Sequence, residues 1–391
     1  MMAPSLDSTT LPAAEALFTQ SVPEAVPAAW LPVRMSQLPT ADDLLPYLRR
    51  IDENRWYSNF GFLLREFEAK LAAHFDVDPD ALVCVANGTL GLVGALTALE
   101  VRPGGLCVMP SWTFAATPAA AAAAGLRPYF MDVDPASWAL DPAMVEAALP
   151  HLPESVAAVI VVSPFGAPVD PGIWDDFWER TGIPVVIDAA WGFDRTRVGR
   201  APVMVSLHAS KLFGVGEGGL VATRLPELAR RIEHASNFGF DTQRVATFVG
   251  GNYKMSEYAA AIGLAMFERW PGQRARTVEL MGQYVEAFRD VAGVALMPGF
   301  GTDWVGGACC LRFDHPVGEA EIDHFRRRGV EARRWWSKPC HRHPAFADSP
   351  QGPLEVTETL FETVIAVPFF CGMTVADVLR VRDAVVTIPG G

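Results

Sequence analysis

Basic residues are scarce in this chain. Its 391 residues carry 32 Lys and Arg against 45 Asp and Glu, a formal net charge of −13, and no lysine-arginine run interrupts that balance. Nucleic-acid binding needs a basic footprint that neutralises phosphates, so that class is disfavoured; a local pocket can still hold an anion. Cysteine is sparse too, with six in all: Cys84, Cys107, Cys309, Cys310, Cys340 and Cys371. None forms a Cys-x-x-Cys pair or a zinc-like cysteine-histidine spacing, so no metal site is expected, and buried reduced thiols are the simplest reading. No apolar run approaches the ~18 residues of a membrane span, and the stretch from Met1 to Ala28 lacks a basic region followed by an apolar core. These absences point to a soluble cytoplasmic protein. No internal repeat of fixed period is visible.

What is present is globular. Half of the residues are hydrophobic and 20% are charged, enough to bury a large core, and the chain is longer than one ordinary domain of about 100–200 residues. Residues 1–30, rich in Ala, Pro, Ser and Thr, read as a poorly ordered lead. A short helix around Asp42 to Ile51 follows, then one with Leu64, Phe67, Leu71 and Phe75 at helical spacing. From Leu82 onward, short apolar runs alternate with helical stretches: 82–86, 106–109, 128–133, 157–163, 184–187, 203–207 and 219–223. Near-continuous apolar strands separated by helices require a mostly parallel sheet covered on both faces. A long helix is expected over 274–291, then strands at 294–297 and 309–313 and helices at 319–328 and 375–386. The reading is an α/β fold, with residues 31–274 as a large ligand-binding domain and 275–391 as a smaller α+β domain.

The chemistry gathers beyond the strand ends, where open α/β sheets bind ligands. Lys211 stands between the apolar run Val205-Ser206-Leu207 and the cluster Gly214-Val215-Gly216-Glu217-Gly218-Gly219. A desolvated lysine amine can lose its proton near neutral pH and attack a carbonyl, as a Schiff base with an aldehyde cofactor such as pyridoxal phosphate requires. A solvated lysine in a glycine-rich loop is the plain alternative. Asn87-Gly88-Thr89 ends one strand and opens a helix, so it offers free N–H groups, a helix dipole and the Thr89 hydroxyl to a phosphate, or else is a plain N-cap. Asp188 closes the run Pro184–Ile187, where a buried carboxylate needs a facing cation such as a protonated pyridine nitrogen, unless it caps a turn. Ser206 can donate a hydroxyl to the same phosphate. Phe114 can stack on a flat ring or pack in the core. His208 reads as a packed strand histidine. Trp56 and Tyr57, beside Gly61, suit a ligand-facing loop or an ordinary turn.

In this order, these segments resemble the DegT–StrS family of sugar aminotransferases, pyridoxal-phosphate enzymes of fold type I. The resemblance runs from about Leu31 to the C-terminus. It rests on Asn59-Phe60-Gly61, Asn87-Gly88-Thr89, Pro110-Ser111-Trp112-Thr113-Phe114, Pro164-Phe165-Gly166, Ile187-Asp188-Ala189-Ala190, Ser206-Leu207-His208-Ala209-Ser210-Lys211, Gly216-Glu217-Gly218-Gly219 and Gly251-Asn252-Tyr253-Lys254-Met255-Ser256-Glu257. Lys338-Pro339-Cys340-His341-Arg342-His343-Pro344 is similar to the family's Pro-x-His-x-x-Pro loop.

The resemblance implies that Lys211 is the Schiff-base lysine, Asp188 the partner of the pyridine nitrogen and Phe114 the stacking aromatic. Gly88, Thr89 and Ser206 would hold the phosphate, and Asn252 would reach the phosphate of a neighbouring subunit, giving a homodimer with shared sites. Trp56, Tyr57 and His341 would face a nucleotide-linked sugar. Trp191 stands where many members carry Gln or His, so the cofactor ring would meet an indole that donates one N–H and accepts nothing. Trp335-Trp336 also departs from the commoner aromatic-proline stretch. The implied activity is transfer of an amino group from L-glutamate, through pyridoxamine phosphate, to a nucleotide-linked keto-deoxysugar. A pyridoxamine-dependent sugar dehydratase and a non-catalytic cofactor- or sugar-sensing protein share the scaffold. In the dehydratase branch a histidine replaces the lysine, and a sensor would need a basic segment or a damaged site.

Overall fold

A computed structural model describes residues 30–388; apart from Trp30, the expected N-terminal lead lies outside the described residues. All seven apolar runs from 82 to 223 form strands: β1 (Leu82–Val85), β2 (Leu106–Pro110), β3 (Arg127–Met131), β4 (Val156–Val162), β5 (Val185–Asp188), β6 (Val203–Ser206) and β7 (Gly219–Ala222). They form one sheet in the order β1-β7-β6-β5-β4-β2-β3. β7 is antiparallel to both β1 and β6, and the remaining pairs are parallel. Every strand but β7 therefore runs the same way, and their C-terminal ends open on a single edge.

Strand side chains alternate between the two faces, and each face has its own core. Cys107, Met109, Ile160, Val186, Met204 and Val221 pack under the helices Gly88–Ala98, Ala116–Ala123 and Pro226–Ser236. Their strand neighbours Leu106, Val108, Val161, Ile187, Val205 and Leu220 join the other core, with Phe67, Trp174, Leu264 and Tyr284 from the helices Phe62–His74, Pro171–Thr181 and Glu257–Phe288. This two-sided burial explains why the strands read as continuous apolar runs.

The C-terminal part holds a second, antiparallel sheet of β8 (Val294–Leu296), β9 (Cys309–Phe313) and β10 (Val364–Val367), in the order β10-β9-β8. The sequence pattern misses β10, which leaves the helix Glu355–Thr363 with no glycine or proline between. The expected helix over 274–291 also needs correction. It begins at Glu257 and runs 32 residues to Phe288, with Pro271 inside it. Trp270-Pro271-Gly272 reads as a break, because an interior proline removes a helical hydrogen bond. The buried face of the helix, which includes Leu264, Met266, Trp270 and Leu280, outweighs that loss. Residue 275, the expected boundary, lies within this helix.

The segment before the first helix is a strap rather than part of the large sheet. Leu31 makes a parallel bridge with Val330, and the backbone of Val33 accepts from Phe369. The six cysteines are buried and free. Among the described residues no helix is long and apolar enough to cross a membrane.

Candidate active site

The open sheet edge is assembled from strand ends. β1 leads into the turn at Asn87, whose side chain accepts from Leu90 N (2.9 Å) and caps the helix Gly88–Ala98. The N-cap reading therefore holds for Asn87. The Thr89 hydroxyl, by contrast, has no hydrogen-bond partner among the described residues, and it stands on the first turn, where helical N–H groups are unpaired. Gly88 packs against β6: a β-carbon there would come within 2.9 Å of Met204 Sδ and 3.3 Å of Ser206 Cβ. Val85 and Ser206 are both in register with Gly219, which brings the Asn87 turn beside Ser206. Ser206 Oγ accepts from His208 N (3.3 Å), and among the described residues its own proton is uncommitted.

Between β6 and β7 the chain folds over itself. Ala209 N donates to Gly216 O (2.7 Å) and Val215 N to Leu207 O (2.7 Å), while Lys211 N donates to His208 O (2.8 Å). Gly216 has φ +92°, a conformation that side chains resist. The loop turns the Lys211 amine inward. Burial lowers its pKa to about 7, a neighbouring Arg34 adds to that lowering, and Asp188 opposes it. His208 departs from its expected place in the strand: it lies beyond β6, exposed, hydrogen-bonded to Ser210 Oγ (2.8 Å) and 3.6 Å from Glu217.

Asp188 ends β5 and is 5% exposed. Burial raises its pKa; donation from Thr117 Oγ1 (2.8 Å) and Ala190 N (3.1 Å), and the Lys211 amine, pull the other way. Thr117 is in turn bonded to Thr113 (2.8 Å). Trp191 is buried beside this group. Lys211 Nζ lies 3.9 Å from its ring centroid and the Arg34 guanidinium 5.3 Å, while Trp335 meets it edge-on at 5.3 Å.

Not every expected site residue joins this cluster. Phe114, at the end of β2 beyond Thr113, is 62% exposed. Both ring nitrogens of His341 are engaged, with Ser111 Oγ (2.7 Å) and with Glu358 Oε1 (2.7 Å). Trp56 and Tyr57 sit in the loop before Phe62–His74, packed on Phe62 and Tyr258, and among the described residues no contact ties them to Lys211. Asn252 is exposed and bridges Asn237. Arg34, Thr113 and Thr117 belong to the cluster and escaped the sequence reading. Among the described residues no group of three or more His, Cys, Asp or Glu could hold a metal.

The arrangement fits pyridoxal phosphate. Thr89, Ser206 and a helix N-terminus offer unspent donors at one end. A carboxylate fixed by two donors stands at the end of the neighbouring strand, and an amine that is part-deprotonated at neutral pH lies within its electrostatic reach.

Comparison with known proteins agrees. The profile of the DegT/DnrJ/EryC1/StrS aminotransferase family matches residues 40–386. Protein Rv3402c of Mycobacterium tuberculosis is 31% identical over 380 residues, covering 91% of this chain and 89% of its own. The dTDP-4-amino-4,6-dideoxy-D-glucose transaminase of Shigella dysenteriae is 28% identical over 315 residues, covering 78% and 84%. A solved Bacillus cereus structure assigned as a PLP-dependent aminotransferase superposes with a TM-score of 0.85 at 31% identity, covering 91% of this chain and 99% of that one.

Proposed function

Because this chain belongs to the DegT/DnrJ/EryC1/StrS aminotransferase family, for which pyridoxal phosphate is the cofactor, we propose that it moves an amino group from L-glutamate to the keto group of a nucleotide-linked deoxysugar. The observation that carries this reading is the Lys211 amine, lowered to about 7 beside the fixed carboxylate of Asp188. An amine of that pKa can bond to a carbonyl carbon, and once free can take up and return a proton at neutral pH. Bound pyridoxal phosphate supplies a ring that stabilises negative charge at a carbon losing its proton.

The chain's own groups divide the remaining work. Asp188, held by Thr117 and Ala190, keeps a ring nitrogen protonated. Gly88, Thr89 and Ser206 would hold the phosphate, and the exposed ring of Phe114 would be free to cover the cofactor. Trp191 closes the site against water beside Lys211. Asn252, exposed in its own subunit, completes the site of a second copy. The exposed side chains of Trp56, Tyr57, Phe62 and Tyr258 support such pairing, since contiguous exposed apolar surface marks an interface. His341 and the Trp56–Tyr57 loop face the acceptor. The Shigella relative's name supports a nucleotide-sugar acceptor. A lysine rather than a histidine at position 211 disfavours the dehydratase.

Excess L-glutamate added to the purified, cofactor-loaded protein should abolish its visible absorbance and release one 2-oxoglutarate per site. A nucleotide-linked keto sugar should then restore the band. An unchanged spectrum with glutamate sinks the donor assignment, and a panel of such sugars that all fail to restore the band sinks the acceptor.

A further inference from the structure

Arg34 is a part-buried cation with no counter-ion among the described residues. It leaves the strap that pairs with Val330, and its Nη1 donates to Gly307 O (2.6 Å). Its guanidinium rests 5.3 Å from the Trp191 centroid, and its Nε is buried without a hydrogen-bond partner among the described residues. Burial alone lowers its pKa, to about 10, with no carboxylate pulling the other way. Arginine stays charged at neutral pH, and an unpaired buried guanidinium is costly unless an anion completes it. Arg34 shares the lining of one small cavity with Lys211, Gln37 and Gln273; each glutamine amide already donates one bond, to Cys371 O and to Leu212 O, and neither carries a charge to match an anion.

We infer that Arg34 anchors a carboxylate of the amino donor. The inference rests on the transaminase reading above. Lys211 and Arg34 lie on the same indole, so an amino acid whose nitrogen takes over the position of the lysine amine carries its α-carboxylate, two bonds away, toward the guanidinium. In a nucleotide-linked keto sugar the phosphate lies across the sugar ring from the reacting carbon, which places it farther from Lys211. A planar guanidinium fork with Nε unspent matches a carboxylate in two parallel hydrogen bonds. The departure at Trp191 gains a purpose here. An indole accepts no hydrogen bond from arginine but offers it a flat face, leaving the N–H edge for the donor.

The test compares wild type, R34Q and R34K, each loaded with pyridoxal phosphate, in single-turnover mixing while the cofactor absorbance is followed. One arm uses L-glutamate and a panel of other α-amino acids. The second uses methoxyamine, a nucleophile that reacts with the bound cofactor and carries no carboxylate. R34Q should raise the half-saturating glutamate concentration about 10–100-fold, the range of a hydrogen bond to a charged group. Its methoxyamine rate, which feels only the lost charge beside Lys211, should change far less than its glutamate dependence, and R34K should recover part of the loss. Unaltered glutamate dependence in R34Q overturns the inference. So does an equal fall in both arms, which would mark a structural role. A wild type that reacts with methoxyamine but with no amino acid overturns the transaminase reading itself.

Discussion

Lys211 Nζ lies 3.9 Å from the centroid of the Trp191 ring. An aromatic face favours the ammonium form, as does Asp188, yet the amine is held at about 7. Loss of water and the charge of Arg34 prevail. The site thus keeps a base ready at neutral pH without removing the groups that would recharge it.

That balance has a thermodynamic signature. A free lysine titrates at 10.5 and the folded amine at about 7, so between these values the unfolded chain binds more protons and stability rises with pH. The penalty is absent above 10.5, grows as pH falls and is complete below 7. Cofactor-free K211M should be more stable than wild type below pH 7, by on the order of a few kcal/mol. The gap should close toward pH 10.5, as urea unfolding at several pH values would show. K211M should also lose transamination entirely.

Thr117 positions Asp188 without touching the reacting atoms. T117V leaves Asp188 Oδ2 short of one donor, about 1–3 kcal/mol for a buried acceptor, so turnover should fall roughly tenfold. The pH at which the cofactor absorbance titrates should shift with it. T117S restores the hydroxyl and should restore both; a normal titration in T117V would show that the bond is idle.

Glu257 closes another helix from a distance. Its carboxylate accepts from Leu63 N (2.9 Å) and Leu64 N (3.0 Å), the first turn of Phe62–His74. Gly61 makes the approach possible, since a β-carbon there would come within 2.5 Å of Glu257 Cδ. E257A should lower stability by about 2 kcal/mol or more, and G61A should produce a similar loss through the clash. Thermal unfolding of each variant reads the effect.

Arg274 and Asp194 join the long helix to the loop after β5. Arg274 Nε meets Asp194 Oδ1 at 2.5 Å, and Asp194 also receives Val305 N (3.0 Å). The carboxylate side chain is 3% exposed but the arginine 31%, so the loss in R274A falls below that of a fully buried pair, at about 2–3 kcal/mol. Urea unfolding would measure it.

The strands were legible because two-sided burial writes itself as uninterrupted apolar runs, and Lys211, Asp188 and the Asn87 turn because each sits where such a run stops. Other features left no local mark. β10 is continuous with a helix, and Pro271 imitates a helix end that tertiary packing overrides. Thr117 lies in an alanine-rich helix and matters only because that helix delivers its hydroxyl to Asp188. Arg34 is one arginine among many until the strap carries it to Trp191. His208 was expected in the sheet because the apolar run continues through Leu207, but the pairing ends at Ser206.

The strap also fixes when the site can be finished. Leu31 and Val33 are held by Gly329, Glu331 and Phe369, residues made long after them. At about 5–20 residues per second the ribosome needs tens of seconds to reach these partners. The sheet, Lys211 and Asp188 can assemble early on the nascent chain, while Arg34 must wait for the C-terminal part. A chain that stops short of Phe369 would therefore carry a cofactor pocket but lack its arginine.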